Sequence, residues 1–293
     1  MTSDQVPSAD IHESGSFARQ LNQTGYPLQI AIENLVRDQL TFGPGEWRVR
    51  FKEHAWQSED GEDFGFIDLV LENQAGIVVF VLECKRFREA TWLFLAGNGT
   101  KNNTARAKIW ATMPPGPATQ GGPLVLRDGV YVVERQPSFY GWFELNCQPL
   151  SPEMEFCVSS AKEKKEGLEQ IGSGLISATE ALAGEELPIL LKHSAPPPRI
   201  YIPVIVTTVE LRVCEFDPNS ISLETGDLPN TIAHSSVPVI RFRKQLSTKH
   251  DEIIAQIHEN ALITREKERT VFVVQAKRFA DFLASFSSDR PNI

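Results

Sequence analysis

Three polar side chains stand in two neighbouring apolar segments, and their types suit metal-assisted hydrolysis. Asp68 is embedded in FIDLVL, and Glu83 and Lys85 end the segment FVLECK. Alternate residues of a strand share a face, so Glu83 and Lys85 project to one side and Cys84 to the other. Two buried carboxylates repel each other unless a cation neutralises them. The pattern therefore indicates a site for a divalent cation.

Magnesium, or manganese in its place, is the cation that these ligands predict. Mg²⁺ binds carboxylate, carbonyl and water oxygens, and Asp68, Glu83 and the backbone carbonyl of Cys84 supply that set. The cation would polarise a phosphate oxygen and lower the pKa of a bound water, which Lys85 would orient or help to deprotonate. The alternative is a strand that ends at the surface, where Glu83 and Lys85 form an exposed pair worth at most about 1 kcal/mol.

A tight hairpin must bring the two carboxylates together. An even-length loop near residues 73–76 would place Glu72 opposite Ile77, and Asp68 would then oppose Val81 and lie diagonal to Glu83. Diagonal partners are about 7 to 8 Å apart at Cα, so both carboxylates could reach one cation. An odd-length loop would place them on opposite faces of the sheet.

The elements around this hairpin alternate between helices and strands. Residues 27–40 have helical apolar spacing, residues 160–183 form a second amphipathic helix, and several segments rich in Val, Ile and Phe read as strands. These predicted strands are 47–53, 64–72, 76–87, 200–208 and, as its neighbour, 210–216. Between them, residues 88–158 form an insertion that contains a hairpin at Asp128-Gly129.

The order of helix, three strands, helix and strand, with Asp68, Glu83 and Lys85 in the hairpin, resembles the PD-(D/E)xK, or restriction-endonuclease-like, nuclease superfamily. Ile67 stands where the motif's name has proline. The resemblance implies an α/β fold with an αβββαβ core, in which a central mixed sheet is flanked by helices. It also implies a Mg²⁺- or Mn²⁺-dependent endonuclease that hydrolyses DNA, less often RNA. Restriction or antiphage defence is a role that only the resemblance suggests, and a homodimer would allow both strands to be cut.

The same resemblance adds two residues from the helices. Members often contribute an acid from the first helix, and the matching residue is Glu33, here a fourth candidate metal ligand. A solvated helix carboxylate is the alternative. The later helix commonly presents Lys or Gln to the site, which makes Gln170 a candidate catalytic residue. Gly167 and Gly174 lie on its helical face and suggest a close approach to a strand or ligand.

The predicted domain organisation is one core with additions. Residues 1–24 are polar and patternless and predict a disordered tail. The nuclease core spans residues 25–216 and includes the insertion 88–158. Residues 217–293 form an α/β extension packed on the core, with a helix around 251–266.

Composition bounds the function further. The net charge of -9 works against broad attraction to nucleic acid, although basic residues cluster at 85–88, 162–165 and 241–244. Six histidines show no HxH or HExxH spacing, which argues against a zinc hydrolase. No apolar segment suggests a signal peptide or a membrane span, and the cysteines stand singly, so we expect a cytoplasmic protein.

One short sequence repeat links the hairpin to a segment near the end of the chain. FVLECKRF at 80–87 and FVVQAKRF at 272–279 match at most positions, but Gln275 replaces Glu83. The favoured interpretation is two strands that each end in a basic segment, rather than a second active centre. A catalytically silent interaction or nucleic-acid-binding module and an RNA-directed nuclease remain the alternatives for the whole chain.

Overall fold

The computed structural model describes most of the chain outside its termini and some connecting segments. The described residues are 17–18, 20–22, 24–39, 47–87, 90–97, 103–113, 125–127, 130–132, 139–160, 167–192, 198–228, 232–247 and 267–286. The predicted helix at 251–266 and most of the predicted tail at 1–24 lie outside them. No helix in the described ranges is long and apolar enough to cross a membrane.

The fold is mixed α/β, with many strands and few helices. The helices are α1 (Tyr26–Gln39), α2 (Leu168–Leu190) and α3 (Phe279–Ser285). The strands are β1 (Trp47–Gln57), β2 (Phe64–Asn73), β3 (Val78–Lys85), β4 (Thr91–Gly97), β5 (Asn103–Met113), β6 (Val125–Arg127), β7 (Val130–Val132), β8 (Phe139–Met154), β9 (Cys157–Ser159), β10 (Arg199–Thr207), β11 (Glu210–Phe216), β12 (Ala233–Ser236), β13 (Val239–Gln245) and β14 (Glu268–Gln275).

The central sheet contains the predicted strands 47–53, 64–72, 76–87 and 200–208 in a mixed arrangement. Strands β1, β2 and β3 are antiparallel neighbours, and β10 lies parallel to β3. β14 then lies parallel to β10 on its other edge. The predicted first helix and the strands of this sheet are confirmed, as is the pairing of β6 with β7 across Asp128-Gly129.

Strand β10 is buried because both its faces and both its edges are covered. Its first edge pairs with β3 throughout, whereas its second edge pairs with β5 near Tyr201 and with β14 from Val204 onwards. Ile200 donates its N–H to Ile77 of the first edge, so alternation turns the backbone nitrogen of Pro203 towards the second edge. Proline has no N–H to donate, and the change of partner occurs where that donor is missing.

Five strands close into a barrel. β10 pairs with β14, β14 with β13, β13 with β8, β8 with β5, and β5 returns to β10. Two of these strands come from the predicted insertion and two from the predicted C-terminal extension. The hydrogen bonding therefore joins β5 and β8 of the predicted insertion, and β13 and β14 of the predicted extension, to the same sheet as the core.

Two hydrophobic cores lie on opposite faces of the central sheet. One contains Ile32 and Val36 of α1 with the aromatic residues of α3, and the other contains Leu175 and Leu182 of α2. Side chains of β3 and β10 alternate between these two cores, as the strand period requires. The helices thus flank the sheet from both sides.

Two expectations about the later elements are wrong. α2 begins at Leu168 rather than at Ser160, since Ser160 donates its N–H to Thr91 instead of entering the helix. β11 is not the neighbour of β10. It lies in a separate four-stranded sheet of order β12-β11-β4-β9, because the chain turns out of the central sheet at Thr208, which binds the backbone of Phe87.

Candidate active site

The open end of the β2–β3 hairpin, opposite its turn, borders a cavity of about 710 Å³ that is lined by both charged and apolar side chains. Asp68 of β2 and Glu83 and Lys85 of β3 all line it, together with residues from α1, β1 and α2. These three side chains were the sequence-predicted centre, and the structure brings them into one cavity.

The register of the hairpin differs from the expected one. Glu72 pairs with Val79 rather than with Ile77, and Leu69 pairs with Leu82. Continuing this register places Asp68 directly opposite Glu83 instead of diagonal to it. Because the register moves by an even number of residues, the two carboxylates still share a face.

Asp68 is held by the backbone of the neighbouring strand. The N–H of Cys84 donates to Asp68 Oδ2 at 2.6 Å. Burial, and next the charge of Glu83, raise the pKa of Asp68 to about 7, although the Cys84 hydrogen bond opposes that rise. This carboxyl group therefore needs a proton or a cation near neutral pH.

Glu83 and Lys85 form an ion pair at the end of β3. Lys85 Nζ lies 2.8 Å from Glu83 Oε1, and the Lys85 and Glu83 side chains are 30% and 21% exposed. The pair is therefore neither fully solvated nor fully buried. Its ammonium group lies within the same cavity as both carboxylates, where it offsets part of their charge.

Two residues that the sequence did not indicate complete the acidic end of the cavity. Gln29 of α1 donates through Nε2 to Glu53 Oε1 at 2.6 Å and to the backbone oxygen of Asp68 at 2.9 Å. Glu53 of β1 has a φ of 48°, a left-handed conformation that is costly for a non-glycine residue. The charge of Glu53 also raises the pKa of Asp68. The helical spacing could have indicated Gln29, which lies one turn before Glu33, but nothing local marks Glu53.

Glu33 and Gln170 are not brought to the cavity. Glu33 is buried against Arg37 and Lys52, with Lys52 Nζ 3.5 Å from Glu33 Oε1. Gln170 is exposed on α2, and its neighbour Ile171 lines the cavity instead. Helix α1 thus presents an amide rather than a carboxylate to the site.

The glycine argument for Gln170 is also wrong. A Cβ at Gly167 or Gly174 would meet nothing within 4 Å, so neither glycine marks a close approach. Gly172 is the packed position, where a Cβ would lie 3.5 Å from Leu246 Cδ1. The close approach that the spacing suggested therefore occurs on another face of α2.

The backbone of Cys84 faces the cavity, and its thiol points into the core. The thiol is buried on the α1 face, and burial raises its pKa. Its carbonyl oxygen lies against the start of α1, since a Cβ on Gly25 would come within 3.1 Å of it. Glycine at this position leaves room for that oxygen.

The donor chemistry of the cavity fits a hard cation. Asp68, Glu83 and the Cys84 carbonyl offer oxygen atoms only, which is the ligand set that Mg²⁺ prefers. Within the described ranges, however, no group of three or more His, Cys, Asp or Glu side chains is arranged to hold a metal. Any cation here would therefore take part of its coordination from the backbone, water or substrate.

The predicted basic clusters have different fates. Lys85 and Arg86 line the cavity, whereas 162, 164 and 165 lie outside the described residues. Arg241 is fully buried, donates to the backbone oxygen of Cys147 at 2.5 Å and stacks over Phe272. Arg241 therefore belongs to the barrel interior and not to a surface groove.

The other members of that third cluster pair with acids. Arg243 contacts Glu144, Glu153 and Glu268, and Lys244 pairs with Glu169. These pairs neutralise the cluster at the surface of the barrel.

Comparison of the chain with protein-family models, curated proteins and solved structures finds no match.

Proposed function

We propose that the protein is a divalent-metal-dependent nuclease that hydrolyses phosphodiester bonds of DNA. The observation that carries the proposal is the meeting of Asp68, Glu83 and Lys85 in one cavity, with Asp68 opposite Glu83. Burial of Asp68 beside a second carboxylate is unfavourable by itself, and a cation would relieve it.

A restriction-endonuclease-like core is part of the same proposal. Its support is the order α1, β1, β2, β3, α2 and β10, with helices on both faces of a mixed sheet. The other four strands of the barrel and the second sheet are additions to that core, since β10 belongs to both the core and the barrel. In the described part of the chain these additions supply no side chain to the cavity, whose lining comes from α1, β1, β2, β3, the segment after β3 and α2.

Each residue has a stated task in this proposal. Asp68, Glu83 and the Cys84 carbonyl would hold Mg²⁺ or Mn²⁺, which supplies Lewis-acid activation of water and phosphate. Lys85 would orient the attacking water, and its ammonium group would offset charge on the pentacovalent phosphate. Gln29 positions Glu53 and the backbone of Asp68 through its two hydrogen bonds.

A cleavage panel tests the proposal directly. Supercoiled plasmid, duplex DNA, single-stranded DNA and RNA are incubated with Mg²⁺, with Mn²⁺ and with EDTA, for the parent and for Lys85→Ala. We expect metal-dependent cleavage of DNA by the parent and a loss of at least about 100-fold in Lys85→Ala. Absence of cleavage of every substrate, or equal cleavage by both proteins, would dismiss the nuclease. Faster cleavage of RNA would replace DNA as the substrate.

Two observations favour a second candidate, a catalytically silent module that binds protein or nucleic acid. The described residues contain no three-side-chain metal cluster, and Asp68 already accepts a hydrogen bond from Cys84. Such a module predicts no cleavage in any metal and no metal bound at Asp68 and Glu83. The cleavage panel and a metal titration therefore separate the two candidates.

A further inference from the structure

The short sequence repeat at 80–87 and 272–279 occupies related positions in the central sheet. The two matching segments belong to β3 and β14, which lie on either side of β10 and parallel to it. Thr207 of β10 pairs with Lys85 on one side and with Gln275 on the other. The candidate active site and the end of the second segment therefore lie at the same edge of the central sheet.

The end of β14 has its own cavity, of about 470 Å³, next to the turn that precedes β13. Gln275, Lys277, Arg278 and Ser236 line it with Val237 and Pro238. Gln275 is only 4% exposed, and its Nε2 has no hydrogen-bond partner among the described residues. A buried amide donor without a partner is destabilising, because it has lost its water and gained nothing in exchange. An acceptor from a ligand would remove that cost.

The groups around this amide suit an anion. Lys277 and Arg278 are exposed, so both can reach a ligand from solvent. Arg278 also contacts Asp281 at 3.2 Å, but both side chains are more than half exposed. Exposed pairs of this kind are worth little and exchange partners readily. A phosphate would gain charge-assisted hydrogen bonds from both cations and a third from the amide.

The spacing of the two cavities matches nucleic acid. Neighbouring strands are about 4.8 Å apart, so Lys85 and Gln275 are separated by about 10 Å across β10. One DNA strand carries a phosphate about every 3.4 Å along the helix axis. Because the backbone also winds around that axis, phosphates lie farther apart in space than this rise, and a separation of about 10 Å corresponds to phosphates about one to two nucleotides apart on one strand.

We propose that Gln275, Lys277 and Arg278 form a second phosphate-binding subsite that holds the DNA backbone near the cleavage centre. The substrate class rests on the proposed function, whereas the anion site rests on the cavity itself. Gln275 stands where the first segment has Glu83, and this amide keeps the subsite from competing for the cation. The subsite positions DNA and takes no part in bond cleavage.

The test measures binding without cleavage. A fluorescein-labelled 30-base-pair duplex is titrated in EDTA at several salt concentrations, with the parent, Lys277→Ala/Arg278→Ala and Gln275→Leu. We expect the double variant to weaken binding on the order of tenfold near 100 mM salt and to lower the slope of log K against log salt by about 1.8. Gln275→Leu should weaken binding several-fold without changing that slope, because it removes no charge.

A matched control removes two cations that line neither cavity. Arg106→Ala/Lys192→Ala carries the same change of net charge, and we expect its slope to stay closer to that of the parent. Equal losses in both double variants, or parental binding by Lys277→Ala/Arg278→Ala, would overturn the subsite. Tighter binding of an RNA duplex of the same sequence would overturn DNA as its occupant.

Failure of the subsite and failure of the nuclease are distinguishable. Loss of binding in Lys277→Ala/Arg278→Ala without cleavage by the parent would keep the subsite and dismiss the nuclease. Cleavage by the parent, with DNA binding unchanged in that variant, would keep the nuclease and dismiss the subsite. Thermal unfolding of Gln275→Leu checks its fold, and we expect no loss of stability because the substitution removes a buried donor without a partner.

Discussion

Asp68→Asn should stabilise the metal-free protein at alkaline pH. The substitution removes the charge at the most constrained carboxyl of the cavity, and the amide oxygen of the introduced asparagine can still accept the hydrogen bond from Cys84. In the parent, burial and the charge of Glu83 raise the pKa of Asp68 to about 7, compared with about 3.9 for an unfolded chain. The folded parent therefore holds its proton more tightly than the unfolded parent does.

The sign and size of the effect follow from linkage. A raised folded pKa contributes stability that is fully present below about pH 4 and is lost as pH rises through about 7. A difference of about three pKa units is equivalent to about 4 kcal/mol, and partial solvent contact at Asp68 reduces this to about 2 to 4 kcal/mol. Part of the parent's loss of stability occurs below pH 5. The difference in free energy of unfolding between Asp68→Asn and the parent should therefore grow by about 2 kcal/mol between pH 5 and pH 8.5.

Urea unfolding in EDTA at pH 5 and pH 8.5 measures this advantage for the parent and Asp68→Asn. Asp63→Asn is the matched control, because Asp63 is exposed and lies outside the cavity. We expect the control to follow the parent at both pH values. If the free-energy difference between Asp68→Asn and the parent did not change with pH, the reasoning about burial and carboxylate repulsion at Asp68 would be refuted.

Three further predictions concern single side chains. Lys85→Ala should lower the cleavage rate by at least about 100-fold. Its affinity for Mn²⁺, measured by calorimetry, should change only a few-fold, because an ammonium group is not a metal ligand. A large loss of Mn²⁺ affinity would contradict the task assigned to Lys85. Gln29→Leu should slow cleavage about tenfold, measured by single-turnover kinetics, because the backbone oxygen of Asp68 loses the amide that holds it at 2.9 Å. Parental kinetics would remove Gln29 from the site. Tyr201→Phe should lower the free energy of unfolding by about 1 to 3 kcal/mol, measured with urea, because it removes a buried 2.6 Å hydrogen bond to Glu186. Cleavage should stay unchanged, since this bond lies outside the cavity. Unchanged stability would contradict a stabilising role for the bond.

Local pattern was enough to predict the hairpin and its neighbours. Continuous apolar runs mark β3 and β10, and strand alternation puts Glu83 and Lys85 on one face whatever the neighbouring strand does. The carboxylate of Asp68 shares that face because the loop changes the register by an even step. A residue-type pattern therefore suffices for the centre of the site even where the pairing itself was misplaced.

The remaining features depend on contacts between distant parts of the chain. Glu53 is conspicuous only through its backbone conformation and its bond to Gln29, neither of which a sequence window reveals. Arg241 looks like a surface cation in sequence, yet barrel closure buries it against the Cys147 carbonyl. The position of Gln275 likewise depends on β14 lying beside β10, a pairing between segments that are far apart in the chain.

The central claim is that one cation is shared by Asp68 and Glu83, and calorimetric titration with Mn²⁺ tests it most directly. We expect the parent to bind Mn²⁺ at this site near pH 7.5, and both Asp68→Ala and Glu83→Ala to lose that binding. No binding by the parent, or parental binding by both variants, would contradict the claim whatever the cleavage assays show.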